Sequence, residues 1–245
     1  MISIQGVKKS YSSKEVLKGI DLKIPKGKAF ALIGPSGCGK STLLRIIMGL
    51  IDQEEGSVSI DGELLTEENI LPLRRKMGYV IQNGGLFPHL TAWENAALAA
   101  KYLGWTNDKI ESRLAELSDL VRIDKKMLDR KPGDISGGQA QRISLIRALM
   151  LDPDILLFDE PLGSIDPLVR HELQSDLKDI FRSLNKTVLL VTHDLGEAAF
   201  LGDEIVLMRE GEIVQRGGIH QITENPASEF VERFIKAQRS PLEEY

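Results

Sequence analysis

The 245-residue sequence predicts an α/β fold with a mainly parallel central sheet. Three observations lead to this prediction. Short apolar runs bounded by polar or turn residues recur along the chain, a segment with helical periodicity separates two of them, and two further stretches alternate apolar and polar residues around a glycine. The first pattern is typical of buried parallel strands, and the last is typical of antiparallel pairs.

Four apolar runs predict the parallel strands: AFALIG at 29–34, MGYVIQ at 77–82, DILLFDE at 154–160 and TVLLVTH at 187–193. Between the last two a helix is predicted, because Asp166 can cap it and Pro167 suits its first turn. Its apolar face comprises Leu173, Leu177, Ile180, Phe181 and Leu184. Strand–helix–strand order implies right-handed crossovers and therefore a parallel sheet.

The edges of the fold are predicted to differ from its centre. Residues 56–63 and 203–217 alternate and turn at Gly62 and Gly211, as antiparallel strands do. Residues 91–150 have helical periodicity and no good strand, which indicates a helical subdomain inserted into the core. We therefore expect a single domain with the core and antiparallel parts at about 1–82 and 152–235, the helical insertion at about 83–151, and a short tail at 236–245.

Composition places the chain among ordinary globular proteins. It is 42% hydrophobic and 27% charged, and its net charge of −5 gives no global attraction to nucleic acid. The single cysteine, Cys38, excludes an internal disulfide and indicates a reducing compartment. No apolar run approaches the roughly 20 residues of a membrane-spanning helix, and the N-terminus lacks a signal-peptide apolar core.

The stretch GPSGCGKST follows a predicted strand and precedes a predicted helix, and it fits the pattern GxxxxGK[ST]. Successive backbone N–H groups in such a loop form an anion site that a Cβ would obstruct, and the helix N-terminus adds partial positive charge. Lys40 can reach the β- and γ-phosphates, and Ser41 can ligate Mg²⁺.

The alternative is a glycine-rich turn with an exposed lysine. The candidate phosphate-binding residues are Gly34, Pro35, Ser36, Gly37, Cys38, Gly39, Lys40, Ser41 and Thr42. We expect the same environment to favour the Cys38 thiolate.

Two adjacent carboxylates end the predicted strand ILLFDE. Asp159 is placed to hold Mg²⁺ through water, and Glu160 could orient and deprotonate an attacking water. An acidic pair at a strand end is usually only solvated. In the same chain as a phosphate loop, however, it indicates a nucleotide site.

A second glycine stretch, ISGGQ, begins another predicted helix. Ser136 and Gln139 have the spacing of a capping box, and the simplest interpretation is that cap alone. Gly137 and Gly138 are poor helix formers, but they leave bare N–H groups that could approach a second phosphate.

The phosphate loop, ISGGQ, LLFDEP and a histidine after the next strand, in that order, resemble the ATPase subunits of ABC transporters. The resemblance covers about residues 2–235. It implies a P-loop NTPase fold of the ABC ATPase type, with ATP and Mg²⁺ as cofactors. It also implies a head-to-tail dimer with a second copy, in which each site takes the phosphate loop from one subunit and Ser136, Gly137, Gly138 and Gln139 from the other.

The resemblance assigns further roles by position. Tyr11 falls where an aromatic ring stacks on adenine, although a half-buried tyrosine at a strand end is the alternative. Gln82 matches the glutamine that touches Mg²⁺ and senses the membrane partner, so Ser41, Gln82 and Asp159 are the candidate metal ligands. Asp166 matches an aspartate that crosses the dimer interface, and His193 matches a histidine that contacts the γ-phosphate.

Two positions depart from the family pattern. Ile135 stands where leucine is usual, which conserves volume, and the segment after the acidic pair reads GSID where an alanine commonly precedes Leu-Asp. The remaining histidines, His89, His171 and His220, are interpreted as surface or packing residues.

The resemblance implies ATP hydrolysis that powers transport through separate transmembrane permease subunits, on the cytoplasmic face of the membrane. Residues 81–98 resemble importer ATPases for glycine betaine, choline and related osmoprotectants, in which a substrate-binding protein is an indirect partner. An ATPase for lipid trafficking or export is the nearest alternative. A DNA-repair or ribosomal ABC ATPase is disfavoured because the chain has no long coiled coil, has one ATPase domain and is acidic.

The predicted surface for the membrane subunits is a groove between Gln82 and the helical insertion that includes Leu86, Phe87 and Pro88. An exposed GLFPHL segment would otherwise be an apolar liability. The alternative is that Phe87 and Leu90 are core residues of the insertion.

Overall fold

The computed structural model describes residues 1–12, 14–82, 84–163 and 165–238. The chain forms two compact units, Met1–Ile70 with Leu189–Tyr245, and Leu71–Val188. Of the predicted tail, residues 239–245 lie outside the described part. Within the described residues, no helix has both the length and the apolar character needed to cross a membrane. The predicted division into core, insertion and tail remains a prediction.

In chain order the elements are β1 (Ile2–Tyr11), β2 (Lys14–Ile24), β3 (Ala29–Ile33), α1 (Lys40–Ile47), β4 (Glu55–Ile60), β5 (Glu63–Leu64), α2 (Ile70–Arg75), β6 (Met77–Val80), α3 (Ala92–Tyr102), α4 (Asn107–Leu120), 3₁₀ turns at Lys125–Met127 and Pro132–Asp134, α5 (Gly137–Leu149), β7 (Ile155–Asp159), α6 (Pro167–Leu184), β8 (Thr187–Val191), α7 (Leu195–Leu201), β9 (Glu204–Arg209), β10 (Glu212–Gly217), α8 (Ile219–Glu224) and α9 (Glu229–Gln238).

The first unit contains an antiparallel sheet in the order β2-β1-β4-β5. The predicted turn at Gly62 is confirmed: its φ is +85°, and β4 and β5 pair around it with Ser59 opposite Leu64. Strands β1 and β2 are long and were not predicted as a pair, although Ile2 of β1 lies opposite Ile24 of β2. Several register shifts interrupt their pairing, which breaks the simple alternation in the sequence.

The strands next to the phosphate loop lie in the same unit. β3 runs parallel to β9 with Leu32 opposite Val206, and β9 pairs antiparallel with β10, as predicted. A core of Ala31 and Ile33 from β3 with the apolar faces of α7, α8 and α9 supports these strands. This packing fixes the carboxyl end of β3, from which the phosphate loop begins.

The second unit contains parallel strands β6 and β7, with Met77 opposite Ile155. The predicted helix is confirmed as α6: Pro167 is its first residue, and the Asp166 side chain accepts a hydrogen bond from the Leu168 amide at 3.0 Å. Its predicted face is buried at Leu173, Leu177, Ile180 and Phe181. Helices α3, α4 and α5 lie within residues 91–150, all of which are described, and none of these residues is in a strand.

A buried carboxylate joins α5 to α6 within this unit. Asp176 of α6 forms ion pairs with Arg142 of α5 and with Arg122, both at 2.6 Å. Arg142 also donates to the carbonyl oxygen of Val121 at the end of α4. Removing either partner of a buried ion pair leaves an uncompensated charge, so this contact stabilises the packing of α5 against α6.

Candidate functional site

The phosphate loop, residues 34–42, has a backbone that requires glycine. Gly34 and Gly39 have φ of +147° and +107°. A Cβ on Gly34 would lie 2.2 Å from the carbonyl oxygen of Met208, and one on Gly39 would lie 2.8 Å from that of Val16. The glycines are therefore required by close backbone approach, and they form a cradle that a side chain would fill.

Helix α1 begins at Lys40, within this loop, and no side chain caps it. Helix α8 also has no side-chain cap, whereas side chains cap α3, α4, α5, α6 and α7. Lys40 is buried, and its ammonium donates to the carbonyls of Gly34 at 2.8 Å and Pro35 at 3.0 Å. A glycine cradle, a lysine and an uncapped helix N-terminus are complementary to an anion, so the residues present fit the phosphates of a nucleotide.

The expectation of a Cys38 thiolate is wrong. Cys38 is only 4% exposed, and burial raises the pKa of its thiol more than nearby Lys40 lowers it. Desolvation penalises the charged form of the thiol, and an ammonium 3.9 Å from the sulfur does not offset this. Cys38 therefore contributes its backbone to the loop, while its thiol remains protonated at neutral pH.

A cleft of about 550 Å³ adjoins Pro35, Ser36, Gly37 and Cys38 of the loop. Its wall also contains Lys14, Glu15, Val16, Lys18, Arg209, Glu210, Gly211 and Phe230. Tyr11 is not among these lining residues. It lies at the end of β1 with 47% of its surface exposed, which agrees with the alternative of a half-buried tyrosine at a strand end. Its stacking on adenine stays a prediction.

The acidic pair lies where the sequence placed it. Asp159 is the last residue of β7, and Glu160 follows with φ +47°, which is unfavourable for a side chain of this size. The Gln82 amide lies 3.5 Å from a carboxylate oxygen of Glu160, so the structure brings these two predicted residues together. Strain at a half-buried carboxylate is a feature that clusters at functional sites.

The capping box predicted at the start of α5 is confirmed. The Ser136 hydroxyl accepts from the Gln139 amide at 3.3 Å, and the Gln139 side chain accepts from the Ser136 amide at 2.9 Å. The two glycines between them differ. A Cβ on Gly137 would meet nothing within 4 Å, whereas one on Gly138 would lie 2.6 Å from a methyl group of Val169.

The histidines are on the surface. His193 follows β8 and is exposed, as are His89, His171 and His220. The prediction that the latter three are surface or packing residues is confirmed by their exposure. Asp166 is occupied as the cap of α6, and its predicted role at a dimer interface stays a prediction.

The predicted site residues are divided between the two units. Tyr11, the phosphate loop and His193 belong to the first unit. The second unit contains Gln82, Asp159, Glu160, residues 136–139 and Asp166. The candidate metal ligands are likewise divided, with Ser41 in the first unit, and their common coordination of Mg²⁺ stays a prediction.

Phe87 is 44% exposed, which is contrary to the alternative that it is a core residue. It lies in the segment 84–91, which we call the Gly84–Thr91 loop. Buried Asn95 of α3 fixes the loop near Phe87: its carbonyl oxygen accepts from the Phe87 amide at 2.7 Å, and its amide donates to the Phe87 carbonyl at 3.1 Å. The same amide donates to the carbonyls of Leu90 and Thr91.

Arg147 of α5 fixes the other end of this loop. Its guanidinium donates to the carbonyls of Gly85 and Gly84, each at 2.9 Å. Sequence reasoning missed both Arg147 and Asn95, because their partners are backbone atoms about 60 and 8 residues away. For Arg147, the one indication in the sequence was its charge within the apolar periodicity of α5.

A groove of about 310 Å³ lies near this loop in the same unit. Its described lining includes the exposed side chains Leu71 and Tyr102, together with Arg74 and Arg75. The full described lining contains no carboxylate: Leu71, Arg74, Arg75, Met77, Gly78, Tyr79, Ala99, Tyr102, Leu103, Arg147, Ala148 and Leu151. An apolar groove with arginines and no acid complements an apolar segment that carries carboxylates.

Comparison with known proteins gives consistent relatives. The protein-family model described as ABC transporter matches residues 17–163. The glycine betaine/carnitine/choline transport ATP-binding protein OpuCA of Bacillus subtilis (strain 168) is 47% identical over 240 residues, which are 98% of this chain and 63% of that protein. The choline transport ATP-binding protein OpuBA of the same organism is 45% identical, with the same coverage. The chain thus spans slightly less than two thirds of the length of these relatives.

A solved structure has the same fold. The dimeric post-hydrolysis state of the ATP-binding cassette MJ0796, bound to ADP and Pi, aligns with a TM-score of 0.81 and 33% identity. The alignment covers 89% of this chain and 99% of the cassette.

Proposed function

The chain belongs to the ABC transporter family, and from this premise we propose that it is an ATPase that powers the import of a small polar solute through separate membrane subunits. The observation that carries the proposal is the phosphate loop, whose glycines are required by close backbone contacts and whose helix is left uncapped. A nucleotide phosphate would satisfy the N-terminus of α1, as side chains satisfy the N-termini of α3, α4, α5, α6 and α7.

In the proposed site, the loop amides and Lys40 hold the phosphates of ATP. Glu160 accepts a proton from the attacking water. The Gln82 amide, which lies 3.5 Å from a Glu160 carboxylate oxygen, helps to orient this carboxylate. Mg²⁺ would be held by Ser41, Gln82 and Asp159, and when bound it supplies neutralisation of the phosphate charge. His193 contacts the γ-phosphate, and Tyr11 stacks on adenine.

We propose that two copies assemble head to tail, so that Ser136–Gln139 of one copy approaches the nucleotide on the loop of the other. The open space at Gly137 supports this, because a partner's phosphate can approach the N-terminus of α5 without meeting a side chain. Asp166 is proposed to lie at the same interface. The related cassette is dimeric with ADP and Pi bound, which favours this arrangement.

The proposed partners are transmembrane permease subunits, which place the chain peripherally on the cytoplasmic face of a membrane. The exposed Phe87 and the arginine-lined groove with Leu71 and Tyr102 support a docking surface in the second unit. The fitting partner segment is apolar and carries carboxylates. A substrate-binding protein is proposed as an indirect partner.

The proposed solute is a quaternary ammonium osmoprotectant such as glycine betaine or choline. This rests on relatives named for the transport of these compounds, with 45–47% identity over nearly the whole chain. Since the ATPase does not itself contact the solute, uptake assays with the membrane subunits present are the measurement that tests this part.

The ATPase proposal is tested with Glu160→Gln. Because the amide cannot accept the proton of the attacking water, we expect hydrolysis to fall by about 10²-fold or more, while ATP affinity stays within about twofold. ATP-bound dimer should accumulate on gel filtration. Turnover near the parent rate would remove Glu160 from this role, and loss of ATP binding by Lys40→Ala serves as the control for the phosphate loop.

A further inference from the structure

Arg147 is a partly buried cation whose guanidinium is held by backbone carbonyls and not by a carboxylate. Among the described residues no carboxylate lies within ion-pair distance of its guanidinium, and burial lowers the pKa of this group below its usual range. Its hydrogen-bond partners in the described part of the chain are the carbonyls of Gly84 and Gly85 and, at 3.5 Å, the Ser144 hydroxyl. Partial desolvation of a charge that is paired only with neutral groups costs free energy, and the two hydrogen bonds to carbonyls hold the guanidinium in one position relative to the turn.

The carbonyls that Arg147 binds belong to a tight turn packed on α5. Gly84 and Gly85 both have positive φ, at +71° and +54°. A Cβ on Gly84 would lie 3.2 Å from the carbonyl oxygen of Ala140, in the first turns of α5. The turn therefore touches α5 near its beginning and is hydrogen-bonded to it again at Arg147.

Beyond this turn, the Gly84–Thr91 loop is held by Asn95 of α3 rather than by α5. Asn95 is fully buried and satisfies both backbone groups of Phe87. The loop therefore has two attachments with separable effects. Asn95 maintains its local shape around Phe87, and Arg147 fixes its position relative to α5.

We propose that Arg147 is a positioning residue that transmits the position of α5 to the Gly84–Thr91 loop and so to Phe87. The inference rests on the proposed function in one respect, that ATP binding in a dimer engages the N-terminus of α5. When α5 shifts or becomes more rigid, the guanidinium carries the Gly84–Gly85 turn with it. Phe87 then reports the state of the nucleotide site to whatever is docked on it.

The test is hydrogen exchange of the backbone amides of residues 86–91 in the isolated protein, with Glu160→Gln as the parent to retain ATP. We expect ATP to slow exchange in this segment by about tenfold in the parent. In the parent carrying Arg147→Lys, which keeps the charge but loses the paired donors, this ATP-dependent change should fall below about twofold. The melting temperature and the exchange of α3 should remain those of the parent.

Two matched variants separate positioning from structure. Asn95→Ala should raise exchange in residues 86–91 with and without ATP, because it loosens the loop itself. Arg182→Lys, an exposed arginine of α6, should change nothing.

Three outcomes overturn the inference. The first is full ATP-dependent protection of residues 86–91 in Arg147→Lys, and the second is the absence of any ATP effect on these residues in a parent that does dimerise. The third is a general loss of protection with a lowered melting temperature in Arg147→Lys. The last would make Arg147 a structural residue only. If the parent does not dimerise with ATP on gel filtration, the proposed function fails first and the inference fails with it. If Phe87→Ala keeps transport-linked stimulation, only the docking surface is wrong.

Discussion

Cys38 shows at the scale of one residue how burial overrides a favourable charge. Its position at the start of a helix and near Lys40 predicts a reactive thiolate, yet the folded chain raises the pKa of the thiol. The thiolate is the nucleophile, so a raised pKa means less reactive species at any given pH. Alkylation of the folded protein should accelerate only as the pH rises above the ordinary thiol range.

We therefore predict that iodoacetamide labels folded Cys38 at pH 7.5 at least about tenfold more slowly than it labels the urea-unfolded chain. Saturating ATP should slow the reaction further by covering the phosphate loop. Mass spectrometry of the intact chain measures both rates, and Cys38→Ser gives the blank, since the chain has one cysteine. Equal rates in the folded and unfolded chain would contradict the burial of this thiol.

The residues that sequence predicted best are those whose chemistry is local. Gly34 and Gly39 follow from the backbone conformation of one loop, and Ser136 with Gln139 follows from one helix start. Arg147 was missed because the reason for its presence lies in two carbonyl groups that only folding brings near it. Sequence spacing contains no information on such a contact.

At the scale of elements, the start of α5 allows the two glycines to be tested separately. Gly137→Asp places a side chain in open space, and a carboxylate in the first turn is favourable for the helix. We expect its melting temperature and monomer ATP affinity to match those of the parent. ATP-driven dimerisation should be lost, because the new charge would meet the partner's phosphates.

The matched variant Gly138→Ala should lose stability and keep ATP-driven dimerisation. Its Cβ would lie 2.6 Å from a methyl group of Val169, so we expect the free energy of unfolding to fall. Calorimetry and gel filtration with ATP measure the two effects. Dimerisation that persists in Gly137→Asp would leave the SGGQ segment as a helix cap alone.

Elements with a uniform environment were predicted well from sequence. β3, β7 and β8 are almost wholly buried and read as continuous apolar runs, and α6 has one buried face. β1 and β2 were missed as a pair because their burial is mixed and their register shifts. Bulges interrupt the period of two on which recognition of a half-buried strand depends.

At the scale of the whole molecule, the proposed head-to-tail dimer predicts complementation between inactive chains. A Lys40→Ala subunit paired with a Gly137→Asp subunit gathers both defects in one composite site and leaves the other site intact. We expect the mixture to recover partial ATPase activity, up to about half of the parent rate per heterodimer, while neither homodimer hydrolyses ATP. Differently tagged copies purified in two steps allow the measurement. A heterodimer as inactive as both homodimers would contradict composite sites.

The length of α5 has a mechanical consequence. Gly137 and Arg147 are ten residues apart on one helix, a distance of about 15 Å along its axis. A rod of that length that pivots by about 10° at one end moves its other end by between 2 and 3 Å, roughly the length of a hydrogen bond. The 2.9 Å bonds to Gly84 and Gly85 cannot stretch that far, so the loop must either travel with the helix or detach from it. A rotation of α5 at its proposed phosphate-facing end would therefore displace the loop or break its hydrogen bonds, so we expect α5 to act as a lever arm.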